Sequence, residues 1–198
     1  VKPDEGELFL DGVKINGPSH ERGLIFQDPT LFPWLNIQDN IAFGLKLRGV
    51  YKDRKEEVNE FIKLVGLEGF EKTFPHQLSG GMCQRASLAR TLVGHPKLLL
   101  LDEPLGALDA FTRMNMQDEI LRLWKEHNMT MIMVTHDVDE AVYLSDKVVI
   151  MTARPAKIDS IIEIEMARPR DRGDSEFLKY RTEILRILKY AGDKNEPD

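Results

Sequence analysis

The chain has 198 residues, of which 42% are hydrophobic and 30% are charged, and its formal net charge is −6. This length suits one domain or a core with a smaller lobe, and the composition excludes collagen, coiled-coil and disordered chains. The acidic balance argues against a nucleic-acid partner, because phosphate backbones are bound by basic faces.

The number of cysteines and the length of the apolar runs indicate the cellular compartment of the protein. The single cysteine, Cys83, cannot form an intramolecular disulfide, which fits a reducing compartment. Apolar runs such as residues 98–101 are far shorter than the roughly 20 residues that cross a bilayer. From the cysteine usage we expect a cytosolic chain. Residues 1–5 contain neither an initiating Met nor a signal sequence, and we expect that Val1 is not the first residue of the gene.

The first half of the chain is predicted to be β-rich at its start and then helical. Residues 7–11 alternate as a strand does, and residues 23–26 form a second short apolar run. Between residues 37 and 66 the apolar positions recur at helical spacing, with an interruption near residue 49. Ser79 is predicted to cap a further helix, which Gly94 ends.

From residue 98 onward, predicted strands alternate with predicted helices. The strands are residues 98–101, 131–135 and 147–151, and the helices between them are residues 111–127 and 137–144. A further predicted strand, residues 158–164, and a capped amphipathic helix, residues 174–190, follow this alternation. Uninterrupted apolar strands alternating with helices are typical of a parallel sheet covered on both faces. The arginine-rich residues 168–172 are predicted to be a solvated linker.

The sequence Leu-Ser-Gly-Gly-Met-Cys-Gln-Arg at residues 78–85 opens the third predicted helix. Capping alone explains Ser79. The two glycines, Gly80 and Gly81, also allow close approach to unpaired N–H groups at the positive end of the helix dipole, which suits phosphate. On these residues alone, a capped helix and a phosphate site both remain open.

Polar side chains follow three predicted strands. Asp102 and Glu103 follow residues 98–101, Gln27 follows residues 23–26, and His136 follows residues 131–135. Ligands of parallel sheets bind at these strand ends, where an aspartate can hold Mg²⁺ and a glutamate can deprotonate water. The alternative is that these residues only end strands in solvent.

Taken together, the motifs resemble the ATP-binding subunit of ABC transporters over essentially the whole chain. The matching segments are Gln27 (Q-loop), residues 78–85 (signature), residues 98–103 (Walker B strand), residues 107–109 (D-loop) and His136 (H-loop). The flanking segments are most similar to the nitrate, sulfonate and taurine importers; they are residues 27–29, 31–34, 75–77 and 151–155.

The resemblance implies an α/β fold of the P-loop NTPase (RecA-like) kind. Its mostly parallel core would carry an inserted α-helical subdomain and a small antiparallel β portion. The implied parts are residues 1–30 (β portion up to the Q-loop), 31–95 (helical subdomain with the signature), 96–165 (catalytic core) and 166–198 (C-terminal helix and tail).

The resemblance also implies roles on the catalytic side of the site. Glu103 would be the catalytic base, and Asp102 would lie near Mg²⁺. Gln27 would be a ligand of metal and water that also senses the permease, and His136 would contact the γ-phosphate of ATP.

The remaining implied residues belong to the signature and the D-loop. Ser79, Gly80 and Gly81 would bind the γ-phosphate of ATP held by a second copy, with Gln84 also binding nucleotide. Asp109 would help to build the dimer contact.

The family's partners follow from the same resemblance. We expect a head-to-tail homodimer that binds a membrane permease, peripheral to the cytoplasmic face of the membrane. A solute-binding protein would be an indirect partner. Two alternatives are a non-hydrolysing regulatory module, disfavoured by the presence of Glu103 and His136, and a DNA-repair ATPase head, disfavoured by the lack of sustained heptads.

One family motif is missing from the 198 residues. The phosphate-cradling Walker A loop, G-x-x-x-x-G-K-[ST], is not found, and the nearest segment, residues 66–73, has Glu71 where the second glycine belongs. The family has this loop upstream of the part that residues 5–7 resemble. We therefore expect the chain to be a portion of a longer protein.

The missing loop gives a direct prediction. Without the N–H groups and lysine that neutralise the β and γ phosphates, the 198-residue chain alone should bind little Mg-ATP. Isothermal titration calorimetry of the chain with Mg-ATP measures this. Tight binding would show that phosphate is cradled elsewhere in the sequence.

Overall fold

The computed structural model describes residues 4–106, 108–127 and 129–193. These residues form two compact units. Unit 1 lies within Val1–Ala107 and Glu126–Ile132, and unit 2 lies within Leu108–Lys125 and Met133–Asp198.

The strands of unit 1 form a small hairpin and a larger sheet. β1 (Phe9–Leu10) and β2 (Val13–Lys14) are antiparallel. The turn between them has positive φ angles at Asp11 (50°) and Gly12 (76°), the pattern of a type I′ hairpin. β3 (Arg22–Ile25) pairs in parallel with β4 (Leu98–Asp102), and β5 (Thr130–Val134) follows in the order β3-β4-β5.

Three helices pack together in unit 1, namely α1 (Ile37–Leu47), α2 (Lys55–Leu64) and α3 (Gly80–Leu92). Side-chain caps start two of them, because Asn36 Oδ1 accepts from Asp39 N at 2.7 Å and Ser79 Oγ accepts from Met82 N at 3.3 Å. The predicted cap at Ser79 is confirmed. Their shared core consists of buried apolar side chains, including Ile37, Ile41, Leu45, Val58, Ile62, Ala86 and Ala89.

Helix α3 packs against β3 at a glycine. A Cβ atom at Gly23 would lie 2.5 Å from Thr91 Cγ2 and 3.1 Å from Leu99 Cδ1, so only a glycine fits there. Because side chains alternate along a strand, Leu24 points the other way, and it is 44% exposed.

Unit 2 contains α4 (Ala110–His127), α5 (Val138–Leu144) and α6 (Ser175–Asp193), with strands β6 (Lys147–Met151) and β7 (Ile158–Glu163). β6 and β7 are antiparallel, with Val149 opposite Ile161. The connection of residues 152–157 is too short for the crossover that parallel strands need.

The core of unit 2 is formed by buried residues of α5, β6 and α6: Val142, Tyr143, Ile150, Phe177 and Ile184. Arg170 adds a buried polar group beside it and is only 4% exposed. Its guanidinium donates to the backbone oxygens of Ser145 at 2.7 Å and Ile164 at 3.2 Å. The predicted solvated linker is therefore wrong at Arg170, which instead satisfies carbonyl groups just after the ends of α5 and β7.

The described elements agree with the predicted α/β class. A parallel strand pair, a helical region between residues 37 and 92, and two small antiparallel sheets are all present. The division into four parts at residues 30, 95 and 165 stays a prediction.

The close approach of α3 to β3 can be tested by substitution at Gly23. Gly23→Ala should lower the free energy of unfolding by about 1–3 kcal/mol, because the new methyl group overlaps Thr91. Thr91 cannot easily rotate away, since its Oγ1 donates to Ser87 O at 3.1 Å.

The matched control is Gly44→Ala in α1, where a Cβ atom meets nothing within 4 Å. It should stabilise the chain by about 0.5–1 kcal/mol through helix propensity. Urea unfolding midpoints measure both. Equal stability of the two variants would contradict the packing of α3 on β3.

Candidate functional site

Two of the polar residues at predicted strand ends are brought together in unit 1. The parallel register places Ile25 opposite Leu101, so Gln27 and Glu103 leave the sheet at the same edge, two residues later. Gln27 Nε2 donates to Glu103 Oε2 at 3.1 Å. Asp102, the last residue of β4, is exposed at this edge. The structure thus brings Gln27 and Glu103 into contact beside Asp102, and the roles of these side chains stay predictions.

The backbone at Glu103 is strained. Its φ angle is 43°, in the left-handed region that residues other than glycine rarely adopt. Such conformations cost of order 1–3 kcal/mol and persist only where neighbouring contacts fix them. One of these contacts is the turn that follows, where Gly106 N donates to Glu103 O at 3.3 Å.

Gln84 fixes the backbone just before Gln27 and just after Glu103. It lies on α3 and is 3% exposed. Its Nε2 donates to the backbone oxygens of Phe26 at 3.2 Å and Pro104 at 2.9 Å. Its Oε1 has no hydrogen-bond partner among the described residues. Nucleotide binding by Gln84 stays a prediction, whereas the bonds found here are to the backbone.

The first signature residues, Ser79 and Gly80, lie at the start of α3 and face open space. Ser79 and Gly80 are exposed, and a Cβ atom at Gly80 would meet nothing within 4 Å. Packing within the chain therefore does not require a glycine at residue 80. The first turn of α3 contains no acidic residue, so its N–H groups form an electropositive end.

The two remaining predicted site residues belong to unit 2, and both are exposed. Asp109 precedes α4, and its Oδ1 accepts from Thr112 N at 3.0 Å. This bond is the main reason that the pKa of Asp109 lies below its usual value. His136 lies between β5 and α5, next to Asp137, which caps α5 by accepting from Asp139 N at 2.9 Å.

Two residues that bind the segment after Gln27, residues 30–35, were not predicted from the sequence. Arg90 on α3 donates to Thr30 O at 2.7 Å and lies 5.5 Å from the ring centre of Phe32, and burial lowers its pKa. Nothing local in the sequence indicates this contact, because Thr30 is 60 residues away.

The other missed residue is Asn40 in α1, which is 0% exposed. It accepts from Phe32 N at 2.8 Å and donates to Phe32 O at 3.1 Å and Leu35 O at 2.9 Å. An asparagine on the apolar face of a predicted helix could have indicated a buried amide with a structural role. Asn40 thus orders the loop that carries Trp34.

This ordered loop forms one side of an exposed apolar surface. Trp34 is 70% exposed and Leu47 is 74% exposed. We call it the Trp34 surface, and it is lined by Trp34, Leu35, Asp39, Phe43, Lys46 and Leu47. An exposed apolar patch with charged neighbours is typical of a protein interaction site.

The donor set at the strand ends fits a hard cation. Asp102 offers carboxylate oxygens, and the amide oxygen of Gln27 remains after its Nε2 donates to Glu103. Mg²⁺ is usually held by one or two protein oxygens together with substrate phosphates. Within the described ranges there is no group of three or more His, Cys, Asp and Glu side chains that could hold a metal by itself. Those ranges also include no helix long and apolar enough to cross a bilayer.

A sequence profile of a known family decides the assignment. The profile described as ABC transporter matches residues 1–106, more than half of the chain. The chain belongs to the ABC transporter family. This confirms the resemblance carried by Gln27, residues 78–85 and residues 98–103.

Curated ABC relatives match most of the chain. One is an ABC transporter ATP-binding protein of Methanocaldococcus jannaschii, 53% identical over 188 residues, or 94% of this chain and 70% of the relative. An aliphatic sulfonates import ATP-binding protein of Bacillus cereus is 47% identical over 95% of this chain and 74% of its own length. Its counterpart in Bacillus subtilis is 45% identical over 96% of this chain and 73% of its own length.

A solved ABC structure is also similar. It is the dimeric post-hydrolysis state of an ATP-binding cassette bound to ADP and Pi, with a TM-score of 0.71 and 28% identity. The match covers 84% of this chain and 77% of that chain. This likeness confirms the predicted P-loop NTPase-like fold class.

The order of the loop beside Gln27 depends on Asn40. Asn40→Asp replaces two N–H donors by an oxygen that faces the carbonyls of Phe32 and Leu35. We expect the free energy of unfolding to fall by about 3 kcal/mol, because buried carbonyls are left unpaired beside a charge.

Asn59→Asp is the control, since Asn59 is exposed on α2 and donates only weakly to Glu56 at 3.3 Å. It should change stability by less than about 0.5 kcal/mol. Thermal and urea unfolding compare the pair. An equal, small effect of both variants would show that Asn40 does not order the loop.

Proposed function

We propose that this chain is the ATP-hydrolysing part of an ABC importer of the nitrate, sulfonate and taurine type. The observation that carries the proposal is the contact between Gln27 and Glu103 at 3.1 Å, next to the exposed Asp102. The Glu103 carboxylate, the exposed Asp102 carboxylate and the Gln27 amide thus lie at one sheet edge, where parallel sheets bind ligands. Relatives named as sulfonate import proteins support the importer class.

Glu103 is the catalytic base in this proposal. Its carboxylate accepts a proton from water as the water oxygen bonds to the γ-phosphorus of ATP. The bond from that phosphorus to the bridging oxygen breaks, and the products are ADP and phosphate. The hydrogen bond from Gln27 orients the Glu103 carboxylate toward the position of the attacking water.

Asp102 and Gln27 are the residues that would hold Mg²⁺. When bound, the ion neutralises charge on the β and γ phosphates. His136 contacts the γ-phosphate and distinguishes ATP from ADP. These roles rest on the family resemblance and on the oxygen donors at the ends of β3 and β4.

A second copy of the chain completes the nucleotide site. Ser79, Gly80 and Gly81 approach the γ-phosphate held by the partner, which the exposure of Ser79 and Gly80 and the open space at Gly80 allow. Asp109 contributes to the contact between copies. The similar cassette of known structure is itself a dimer with ADP and Pi. ATP would thus hold a head-to-tail dimer together until hydrolysis.

The membrane partner is a permease that docks on the Trp34 surface. The exposed Trp34 and Leu47 offer apolar area, while Asp39 and Lys46 offer charges at its border. Contact with the permease would place the chain at the cytoplasmic face of the membrane. A solute-binding protein would act through the permease, without contact with this chain.

Hydrolysis also needs a P-loop, and the 198 residues contain none. We infer that the hydrolysing assembly includes this loop from residues other than these. Assays of hydrolysis are therefore designed for the assembled transporter.

The proposed base is tested by Glu103→Gln. This change keeps the side chain's shape and removes its ability to accept a proton, so the rate of phosphate release should fall by about 10²–10⁴-fold. The affinity for ATP should stay within about threefold, because the base acts in the transition state.

Glu60→Gln serves as the control, since Glu60 is an exposed glutamate on α2. Phosphate release by the assembled transporter is measured for both variants. If Glu103→Gln hydrolyses ATP as fast as Glu60→Gln does, Glu103 is not the base.

A further inference from the structure

The buried amide of Gln84 bridges two segments of backbone that leave the sheet. One NH₂ group donates both of its hydrogens, to Phe26 O at 3.2 Å and to Pro104 O at 2.9 Å. Phe26 immediately precedes Gln27, and Pro104 immediately follows Glu103. Gln84 therefore joins the backbone beside both of the residues that meet at the strand ends.

The sheet itself does not fix the separation of these segments. The paired register of β3 and β4 ends with Ile25 opposite Leu101, two residues before Gln27 and Glu103. Beyond that pair, the two carbonyls bound by Gln84 supply the restraint. The strained φ angle of 43° at Glu103 makes such a restraint necessary.

The unpaired oxygen of Gln84 shows that its amide does more than fill space. Its Oε1 is buried and has no hydrogen-bond partner within the described residues, which costs free energy. A methionine of similar length would fill the same volume without that cost. The favourable part of the side chain is thus its pair of N–H donors.

We propose that Gln84 is a positioning residue for ATP hydrolysis, which holds the Gln27 and Glu103 side chains in contact by binding the Phe26 and Pro104 carbonyls. It acts through the backbone and not by touching nucleotide. The inference rests on the proposed ATPase function. It goes further by assigning a role to a residue of the signature helix that faces away from solvent.

Two variants distinguish the effect of the Gln84 N–H donors from the effect of its side-chain volume. Gln84→Met keeps the length and removes both donors, so kcat for ATP should fall about 10–100-fold as the base is misplaced, with KM within about twofold. Gln84→Glu should lower kcat further, because a carboxylate faces two carbonyl oxygens. A direct contact with nucleotide would instead raise KM.

Gln117→Met is the matched control. Gln117 is also 3% exposed, on α4 in unit 2, and its Nε2 donates to Glu140 at 3.4 Å. Loss of this amide should lower the melting temperature to a similar extent and leave kcat within twofold of wild type. Equal loss of kcat in Gln84→Met and Gln117→Met would mean that lowered stability explains both, and would overturn the proposal.

The assay uses the assembled transporter, and crystal structures give a second readout that does not need activity. Wild type should show Gln27 Nε2 near 3.1 Å from Glu103 Oε2, and Gln84→Met should separate them beyond hydrogen-bond distance. An inactive wild type would contradict the proposed function alone. Positioning by Gln84 is refuted if the contact survives in Gln84→Met, or if that variant of an active transporter keeps its kcat.

Discussion

Two backbone carbonyls inside unit 1, those of Phe26 and Pro104, need hydrogen-bond donors, and a single amide on α3 supplies both. This interaction ties three pieces of chain into one body: the ends of β3 and β4 and the helix that begins at Gly80. The strained Glu103 and its contact with Gln27 depend on it. In the low dielectric of the interior these bonds are strong, and they are costly to lose.

The approach of α3 to the sheet makes that amide bond geometrically possible. Gly23 lets the helix lie against β3, where any Cβ atom would collide with Thr91. Further along the same helix, Arg90 binds Thr30 at 2.7 Å, three residues after Gln27. Helix α3 therefore holds the Gln27 loop before and after the glutamine. On the other side of that loop, Asn40 orders the residues that carry Trp34. The proposed permease surface and the proposed hydrolysis site are thus joined by one segment of unit 1 that hydrogen bonds hold along its length.

The sequence predicted much of this because the relevant signals are local. Apolar periodicity located the helices and strands, Ser79 was recognisable as a cap, and the polar residues after β3 and β4 indicated a common edge. The resemblance to the family was carried by Gln27, residues 78–85 and residues 98–103, and the profile match confirmed the family.

What the sequence could not predict depends on contacts between distant residues. The bonds of Gln84 reach Phe26 and Pro104, 58 and 20 residues away, and nothing in its motif indicates them, while nucleotide binding by Gln84 stays a prediction. Arg170 was placed in a solvated linker, because composition does not reveal that carbonyl groups near α5 need donors.

The account is tested most directly by locating ATP. Cryo-electron microscopy of the assembled transporter with Mg²⁺ and a non-hydrolysable ATP analogue shows where the triphosphate lies. We predict that the γ-phosphate lies at the ends of β3 and β4, within reach of Glu103 through one water, with Ser79 and Gly80 of a second copy on its other side. A triphosphate bound away from these strand ends, or a Glu103 carboxylate directed away from it, would contradict the account.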